Sequence, residues 1–328
     1  MKAYTCEKYG SPEVLQLRDV EKPVAKGNEI LVRVHATTVN AADCNVRGQS
    51  YIPPGLGLLA KMMLGFKKPR ISITGSVIAG EVEAVGEKVT LFREGDKIYG
   101  SGPELGGYAE YTCRPETGAI ALKPDNISFE QAATVPYGAL TALYFLREVA
   151  GVSPSQKVLV NGASGGVGMY AVQLARYFGA EVTGVCSTRN LDFASSLGAS
   201  KVIDYTAEDP TKTGEQWDTI FDVVVGKTSF KRFKNSLTPK GYYLAVAGGL
   251  NDMLQMLRTS IVGEKKAKFG GGIACEKKEN LLFLNELIIS GELKPVVDRI
   301  FPFEELVEAH RYVESGQKRG NIAIQLVK

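Results

Sequence analysis

The run from Val158 to Asn190, VLVNGASGGVGMYAVQLARYFGAEVTGVCSTRN, holds the residues best suited to chemistry. Its turn, Ala163-Ser164-Gly165-Gly166-Val167-Gly168, carries the second and third glycines of a GxGxxG pattern and replaces the first with Ala163. The pattern has force only where it follows a strand and opens a helix. Here an apolar strand precedes it, and Val167, Ala171, Val172, Leu174 and Ala175 give the following helix an apolar face. In that setting Gly165 lets the backbone approach a pyrophosphate, and Gly168 lets the helix pack against its strand. Free N–H groups and the positive end of the helix dipole would attract the anion. Ser164, Gly165, Gly166 and Val167 are the expected phosphate contacts. The competing reading is a tight strand–helix turn that binds nothing.

The end of the second strand selects the dinucleotide. An NAD site places Asp or Glu there, about 20 residues on, to bind the ribose 2′-hydroxyl. This chain has Ser187, followed by Thr188 and Arg189. A carboxylate would repel a 2′-phosphate, whereas a hydroxyl and a guanidinium would hold it through charge-assisted hydrogen bonds. The expected cofactor is therefore NADP(H). Tyr205, at the end of the third strand, is a further candidate contact to phosphate or adenine. The competing role for Arg189 is a solvated surface charge.

These residues need a sheet to position them. Strands are expected at Val158–Asn161, Glu181–Cys186, Lys201–Asp204, Ile220–Val225, Tyr242–Val246 and Ala267–Phe269, with helical crossovers between them. That alternation points to a parallel, doubly wound sheet. Residues 1 to about 124 differ. They read as short strands and turns, as in the alternating, β-branched ILVRVHATTVN of Ile30–Asn40. Ser128 and Gln131 fit a capping box, and Gly138–Ala150 reads as a buried helix. A helix at Glu276–Ser290, a strand at Val296–Phe301, a helix at Phe303–Glu314 and a strand at Ile322–Val327 are expected to return to the first domain. The segment Ile52–Arg70 stands out. Leu56, Leu59, Met63 and Phe66 can share a helical face there, and Lys67, Lys68 and Arg70 follow.

Bulk properties exclude several classes. The 328 residues suffice for about two domains. A net charge of +3, spread along the chain, gives no reason to expect a nucleic acid partner. Five dispersed cysteines with no CxxC pair argue against a disulfide framework and for reduced thiols. MKAYTCEKYG lacks the apolar core of a signal peptide. No run of 18 apolar residues is present. A cytoplasmic location is the expectation.

At this point the chain resembles the medium-chain dehydrogenase/reductase superfamily, and within it the zinc-independent quinone oxidoreductase branch of quinone and enone reductases. The resemblance rests on the glycine turn together with VNAADCNVRG (Val39–Gly48), AGEVEAVGEKVTLFREGDKIYG (Ala79–Gly100), AATVPYGALTALYFL (Ala132–Leu146), LGASKVIDY (Leu197–Tyr205) and FPFEELVEAHRYVESGQKRGNIAIQL (Phe301–Leu326). It implies an α/β chain with a GroES-like, β-rich catalytic domain over 1–124 and 270–328. A Rossmann NADP(H)-binding domain would occupy 125–269. The active site would lie in the cleft between the domains. It also implies a homodimer joined through the edge strand near Ala267–Phe269.

The resemblance also frames a test for metal. Zinc alcohol dehydrogenases of the superfamily need two cysteines and a histidine with one open position. The matching positions here hold Asn40, Ser76 and Tyr137, with Val77 at the neighbouring acid position. No metal is expected. Without a Lewis acid nothing stabilises an alkoxide, so electron-poor acceptors fit better: quinones, and the activated C=C bond of α,β-unsaturated carbonyls. The resemblance places Asn40 and Thr141 beside the nicotinamide, and Tyr51 and Tyr137 in the substrate pocket. Val225, Ala247 and Gly248, after the fourth and fifth strands, would approach the cofactor. Phe269 and Gly270 would close over the nicotinamide. Asn40 or Tyr51 would donate to the substrate oxygen. The competing roles are a strand-end turn residue for Asn40, a helix residue bonded to its own backbone for Thr141, and plain packing for the tyrosines. Asp43 is read as a support for its loop, and His35 and His310 as structural. The Gly55–Arg70 segment would wall a hydrophobic pocket or touch a membrane surface, with a packed surface helix as the competing reading. The alternative functions are an NADPH-binding sensor with little turnover and, third, an alcohol dehydrogenase.

Overall fold

A computed structural model describes residues 1–49, 57–270 and 272–327. The N-terminal stretch, Leu58–Leu140 and the segment from Glu276 onward form one compact unit; Thr141–Cys275 form the other.

In the first unit β1 (Lys2–Cys6) and β2 (Leu15–Asp19) make an antiparallel pair. β3 (Glu29–Thr37), β4 (Val77–Val85), β5 (Lys97–Ser101), β6 (Tyr111–Pro115) and β7 (Ala119–Leu122) form most of a second sheet. The alternating side chains of β3 put Ile30, Val32 and Val34 on one face, where they pack with Ile78, Val82, Ile98 and Ile120. α1 (Ala41–Gly48) interrupts what reads as strands and turns, and α2 (Gly57–Leu64) falls within the Ile52–Arg70 segment where a helical face is expected. α1 has a polar sequence with no apolar stripe. It forms because Asn40 and Asp43 build a capping box at its start. In α2 the expected face is shorter than proposed. Phe66 lies beyond the helix and is exposed; Leu56 lies outside the described residues.

α3 (Phe129–Leu143) starts well before the expected Gly138. The capping box sets that start: Gln131 N donates to Ser128 Oγ (3.2 Å), and Ser128 N donates to Gln131 Oε1 (3.0 Å). Pro136 sits inside the helix. It removes one backbone bond, a cost offset by full burial of Ala132, Ala133, Val135 and Ala139. The helix then loosens into a π-helical turn over Tyr144–Val149.

The second unit holds β8 (Lys157–Asn161), β9 (Glu181–Cys186), β10 (Lys201–Asp204), β11 (Trp217–Asp222), β12 (Leu237–Ala245) and β13 (Lys266–Phe269). Between them run α4 (Gly168–Tyr177), α5 (Leu191–Ser196), α6 (Phe230–Phe233) and α7 (Leu250–Ile261). All strands are parallel, in the order β10-β9-β8-β11-β12-β13. The chain therefore reverses direction across the sheet between β8 and β11. A crevice outside the carboxyl ends of the strands is expected at such a switch point. The fourth strand ends at Asp222 and not at Val225. The Asp222 carboxylate accepts from Val224 N (3.0 Å), from Asn161 Nδ2 (2.9 Å) and from Tyr243 OH, which turns the chain early.

In the first unit α8 (Lys278–Ile289), β14 (Val297–Pro302), α9 (Leu306–Glu314) and β15 (Asn321–Gln325) complete the sheet, β15 pairing with both β14 and β3. The chain has the two-domain α/β architecture of a GroES-like domain and a doubly wound, Rossmann-type sheet.

Candidate functional site

The glycine turn begins one residue earlier than the motif suggests. Gly162 takes φ +91°, a left-handed conformation that disfavours any side chain, and a Cβ there would lie 2.7 Å from Val223 Cγ2. Gly162 therefore makes the tight turn that a first motif glycine would make, which explains how Ala163 is accommodated. The signal was one place upstream in the sequence. Gly168 packs so close that a Cβ would lie 2.1 Å from Gly162 O. At Gly165 an added Cβ would meet only Gly162 O, at 3.3 Å, so the inner side of the turn is open. No side chain caps the N-terminus of α4. The cradle is shaped for an anion.

Asn190 ties this cradle to the end of β9. Its Nδ2 donates to Ser164 Oγ (3.1 Å) and to Ser187 Oγ (3.3 Å), while its Oδ1 is buried without a hydrogen-bond partner. An orphaned acceptor next to two hydroxyls is costly unless a ligand group donates to it. The residues present thus fit a dinucleotide: the glycine turn takes its phosphates, and a sugar hydroxyl can donate to Asn190 Oδ1. Asn190 escaped sequence reasoning, which stopped at Arg189. Arg189 itself is exposed in the short 3-10 turn Thr188–Asn190. The acid at the end of β10, Asp204, is engaged elsewhere. It accepts from Thr188 Oγ1 and from Thr206 N (2.9 Å) and Oγ1 (2.7 Å). Those bonds, that from Thr188 first, hold its carboxyl below the usual range.

Tyr205 is exposed and lines a cavity of about 310 Å³ with Asn161, Val224, Lys227 and Arg232. Val224 lines this space, and Val225 after it is exposed. Lys227 was missed, although it comes two residues after the predicted strand end. After β12, Gly248 is close-packed: a Cβ would lie 2.8 Å from both Phe269 Cδ1 and Asp252 Cβ. The structure therefore brings Gly248 and Phe269 together. Gly270 takes φ +96°, its N–H bonded to Ala245 O (3.2 Å). Ala247 sits half-buried between β12 and Gly248. On α3, Tyr137 and Thr141 are both half-buried and stand one helical turn apart on the same side.

In the first unit Asn40, Asp43 and Ser76 form one buried network. Asn40 Oδ1 accepts from Ala42 N (2.8 Å) and Asp43 N (3.0 Å), and Asn40 Nδ2 donates to Ser76 Oγ (3.2 Å). The Asp43 carboxylate accepts from Asn40 N (3.0 Å), Ser76 N (3.2 Å) and Ser76 Oγ (3.1 Å). Burial pushes the Asp43 carboxyl up to about 6 against these bonds. Two positions that would ligate zinc are thus hydrogen-bonded to each other. Asn40 keeps one amide N–H as a further donor. Beneath lies His310, whose Nδ1 is 3.5 Å from Cys44 Sγ and whose ring burial drives down to about 3, so it stays neutral. Tyr51 lies outside the described residues.

Residues 26–125 match the family described as alcohol dehydrogenase GroES-like domain, and residues 197–324 that described as zinc-binding dehydrogenase. The chain is 34% identical to 2-methylene-furan-3-one reductase of Solanum lycopersicum, covering 99% of this chain and 79% of that protein. It is 32% identical to the mitochondrial NAD(P)H oxidoreductase RTN4IP1 of Mus musculus, covering 100% and 89%. The structure of Escherichia coli quinone oxidoreductase complexed with NADPH superposes with a TM-score of 0.84 at 26% identity, over 99% of this chain and 100% of that one. The strand order, the glycine cradle and these likenesses agree, and the chain belongs to the medium-chain dehydrogenase/reductase superfamily, in its quinone and enone reductase branch.

Proposed function

We propose that this protein is an NADPH-dependent, zinc-independent reductase that delivers hydride to quinones or to the activated C=C bond of α,β-unsaturated carbonyls. The observation that carries the reading is the network around Asn40. Where a zinc dehydrogenase would hold its metal, Asn40 and Ser76 hydrogen-bond to each other over a buried carboxylate. That leaves a neutral amide N–H and no Lewis acid from these positions, which suits an acceptor that is already electron-poor.

NADPH, when bound, supplies the hydride. The chain's own part is to bind and orient. Ser164 to Val167 hold the pyrophosphate, and Ser187 with Arg189 hold the 2′-phosphate. Tyr205 borders the adenosine end. Val225, just past the end of β11, brings backbone near the cofactor ribose in this reading. Ala247, Gly248, Phe269 and Gly270 bring backbone close to the nicotinamide half. Tyr137 and Thr141 present one helix face to the nicotinamide and substrate. The remaining N–H of Asn40 donates to the substrate oxygen as negative charge develops there. Tyr51 belongs to the substrate pocket in this reading.

β13 is the last strand of its sheet, and pairing through that edge would give a homodimer. Leu58, Met62 and Phe66 are exposed near Lys61, Lys67, Lys68 and Arg70, an arrangement suited to peripheral membrane contact. Among the described residues no helix is long and apolar enough to cross a membrane. Among the described residues no disulfide joins any of the five cysteines, which is in keeping with a reducing compartment such as the cytoplasm.

The test is oxidation of NADPH and of NADH by metal-free protein against 9,10-phenanthrenequinone, 1,4-benzoquinone and a medium-length 2-alkenal. Turnover with NADPH is expected, and chelators should leave it unchanged. Tight NADPH binding without turnover on any acceptor would overturn the reductase reading in favour of a sensor.

A further inference from the structure

The second unit carries a second concavity, at the amino ends of β12 and β13. It encloses about 650 Å³. Its wall gathers four cations, Lys231, Lys234, Arg258 and Lys265, against one carboxylate, Glu264. Lys231 and Lys234 are three residues apart, at α6 and the turn that follows it; Arg258 comes from α7; Lys265 immediately precedes β13. Lys234 and Lys265 thus lie just before the amino ends of β12 and β13, whereas the cradle follows the carboxyl end of β8. The two sites are a strand length apart.

None of these four cations makes an ion pair among the described residues. Lys265 Nζ instead donates to Lys234 O (2.8 Å), which pins one ammonium to the wall. Lys231, Lys234 and Arg258 are exposed and Lys265 is half-buried, so the charges stay hydrated, but four cations around one concavity raise its positive potential and attract an anion. Pro239 and Val262, both exposed, contribute apolar surface to the same space. A lone phosphate would fill little of it, because the volume falls in the range of about 300–1,000 Å³ that accommodates small organic ligands.

We propose that this concavity is an accessory binding site for a small organic polyanion, a phosphorylated molecule with an apolar or aromatic body. The cations neutralise the phosphates, and Pro239 and Val262 take the body. The site is separate from the hydride-transfer reading and does not depend on it.

The probes are inorganic pyrophosphate and ADP, titrated calorimetrically into the full chain with NADPH saturating, so that the glycine cradle is filled. NADPH affinity is measured separately and reports on that cradle alone. One ADP per chain is expected to bind under these conditions, about tenfold tighter than pyrophosphate if the apolar surface contributes. The double variant Lys234→Glu/Arg258→Glu should weaken ADP by about tenfold or more and leave NADPH affinity unchanged. Hydrogen exchange on the unmodified protein gives a check that needs no variant: ADP should protect amides over 255–265. Absence of saturable ADP binding up to about 10 mM, well beyond the affinity of a specific site, would overturn the proposal. So would binding that the charge reversal does not alter, or protection confined to the glycine turn.

Discussion

The glycine cradle and the Asn40 network are built on opposite principles. The cradle is local. Gly162 to Gly168, Ser187 and Asn190 lie within a single strand–turn–helix–strand passage, and backbone groups supply most of its chemistry. The Asn40 network is assembled from separated stretches: Asn40 and Asp43 open α1, and Ser76 precedes β4. Its chemistry is in side chains, and its character is set by burial. A local, backbone-built site is fragile to added atoms. A site of buried side chains is fragile to changes of charge.

The largest expected effect tests the first half of that contrast. Gly168→Ala puts a methyl 2.1 Å from Gly162 O, and backbone cannot yield as a flexible side chain would. A loss of about 3 kcal/mol or more is expected, in the range of severe overpacking, together with loss of NADPH binding. Urea denaturation and a fluorescence titration would measure both; an unchanged unfolding midpoint would refute the close approach.

The second prediction concerns charge on the other side. Burial raises the Asp43 carboxyl to about 6 in the folded chain, against 3.8 for an unperturbed aspartate. A raised carboxyl favours the protonated folded form. The stability it contributes is complete below about pH 3.8 and is lost as pH rises through about 6. A shift of that size corresponds to roughly 3 kcal/mol. Asp43→Asn should flatten this part of the stability–pH curve. Parallel curves for the two proteins between pH 4 and 7 would show that Asp43 is not the group responsible.

Arg189→Ala returns to the cradle, at the cation proposed to hold the 2′-phosphate. NADPH binding should weaken by about 1.5–3 kcal/mol, the value of a hydrogen bond to a charged group, with NADH binding almost unchanged. Equal losses for both cofactors would remove the 2′-phosphate assignment. The smallest effect is expected for Ser76→Ala. It deletes one hydroxyl from the Asn40 network while leaving the Ser76 N–H on Asp43, and should cost about 1 kcal/mol. KM for the acceptor should rise and NADPH affinity should hold, because the hydroxyl positions Asn40 and touches no cofactor. A change in NADPH affinity alone would separate Ser76 from the acceptor side.

Much of the cofactor unit is legible in sequence because its signals are short-range. Apolar strands, a glycine turn and a strand end with Ser187 and Arg189 but no acid all fall within about thirty residues, and period and spacing carry them. The sequence reading failed where a hydrogen-bonded polar group or burial overrides the apolar pattern. Val225 reads as strand because it is apolar and β-branched, but Asp222 turns the chain before it. α1 has no apolar period, and its cap declares it only when Asn40 and Asp43 are seen together. α3 reaches back through Pro136 because burial outweighs a missing N–H.

By its residues alone the chain thus determined its architecture, its cofactor cradle and the absence of zinc-ligand residue types at Asn40, Ser76 and Tyr137. Those follow from residue type and local spacing, which need no partner. The tertiary structure decided what replaces the metal. It placed Ser76 against Asn40 and Asp43, buried the carboxyl until its proton affinity rose, and left Asn190 Oδ1 without a partner. Burial and hydrogen-bond satisfaction depend on what surrounds a group in space, and no linear pattern encodes that.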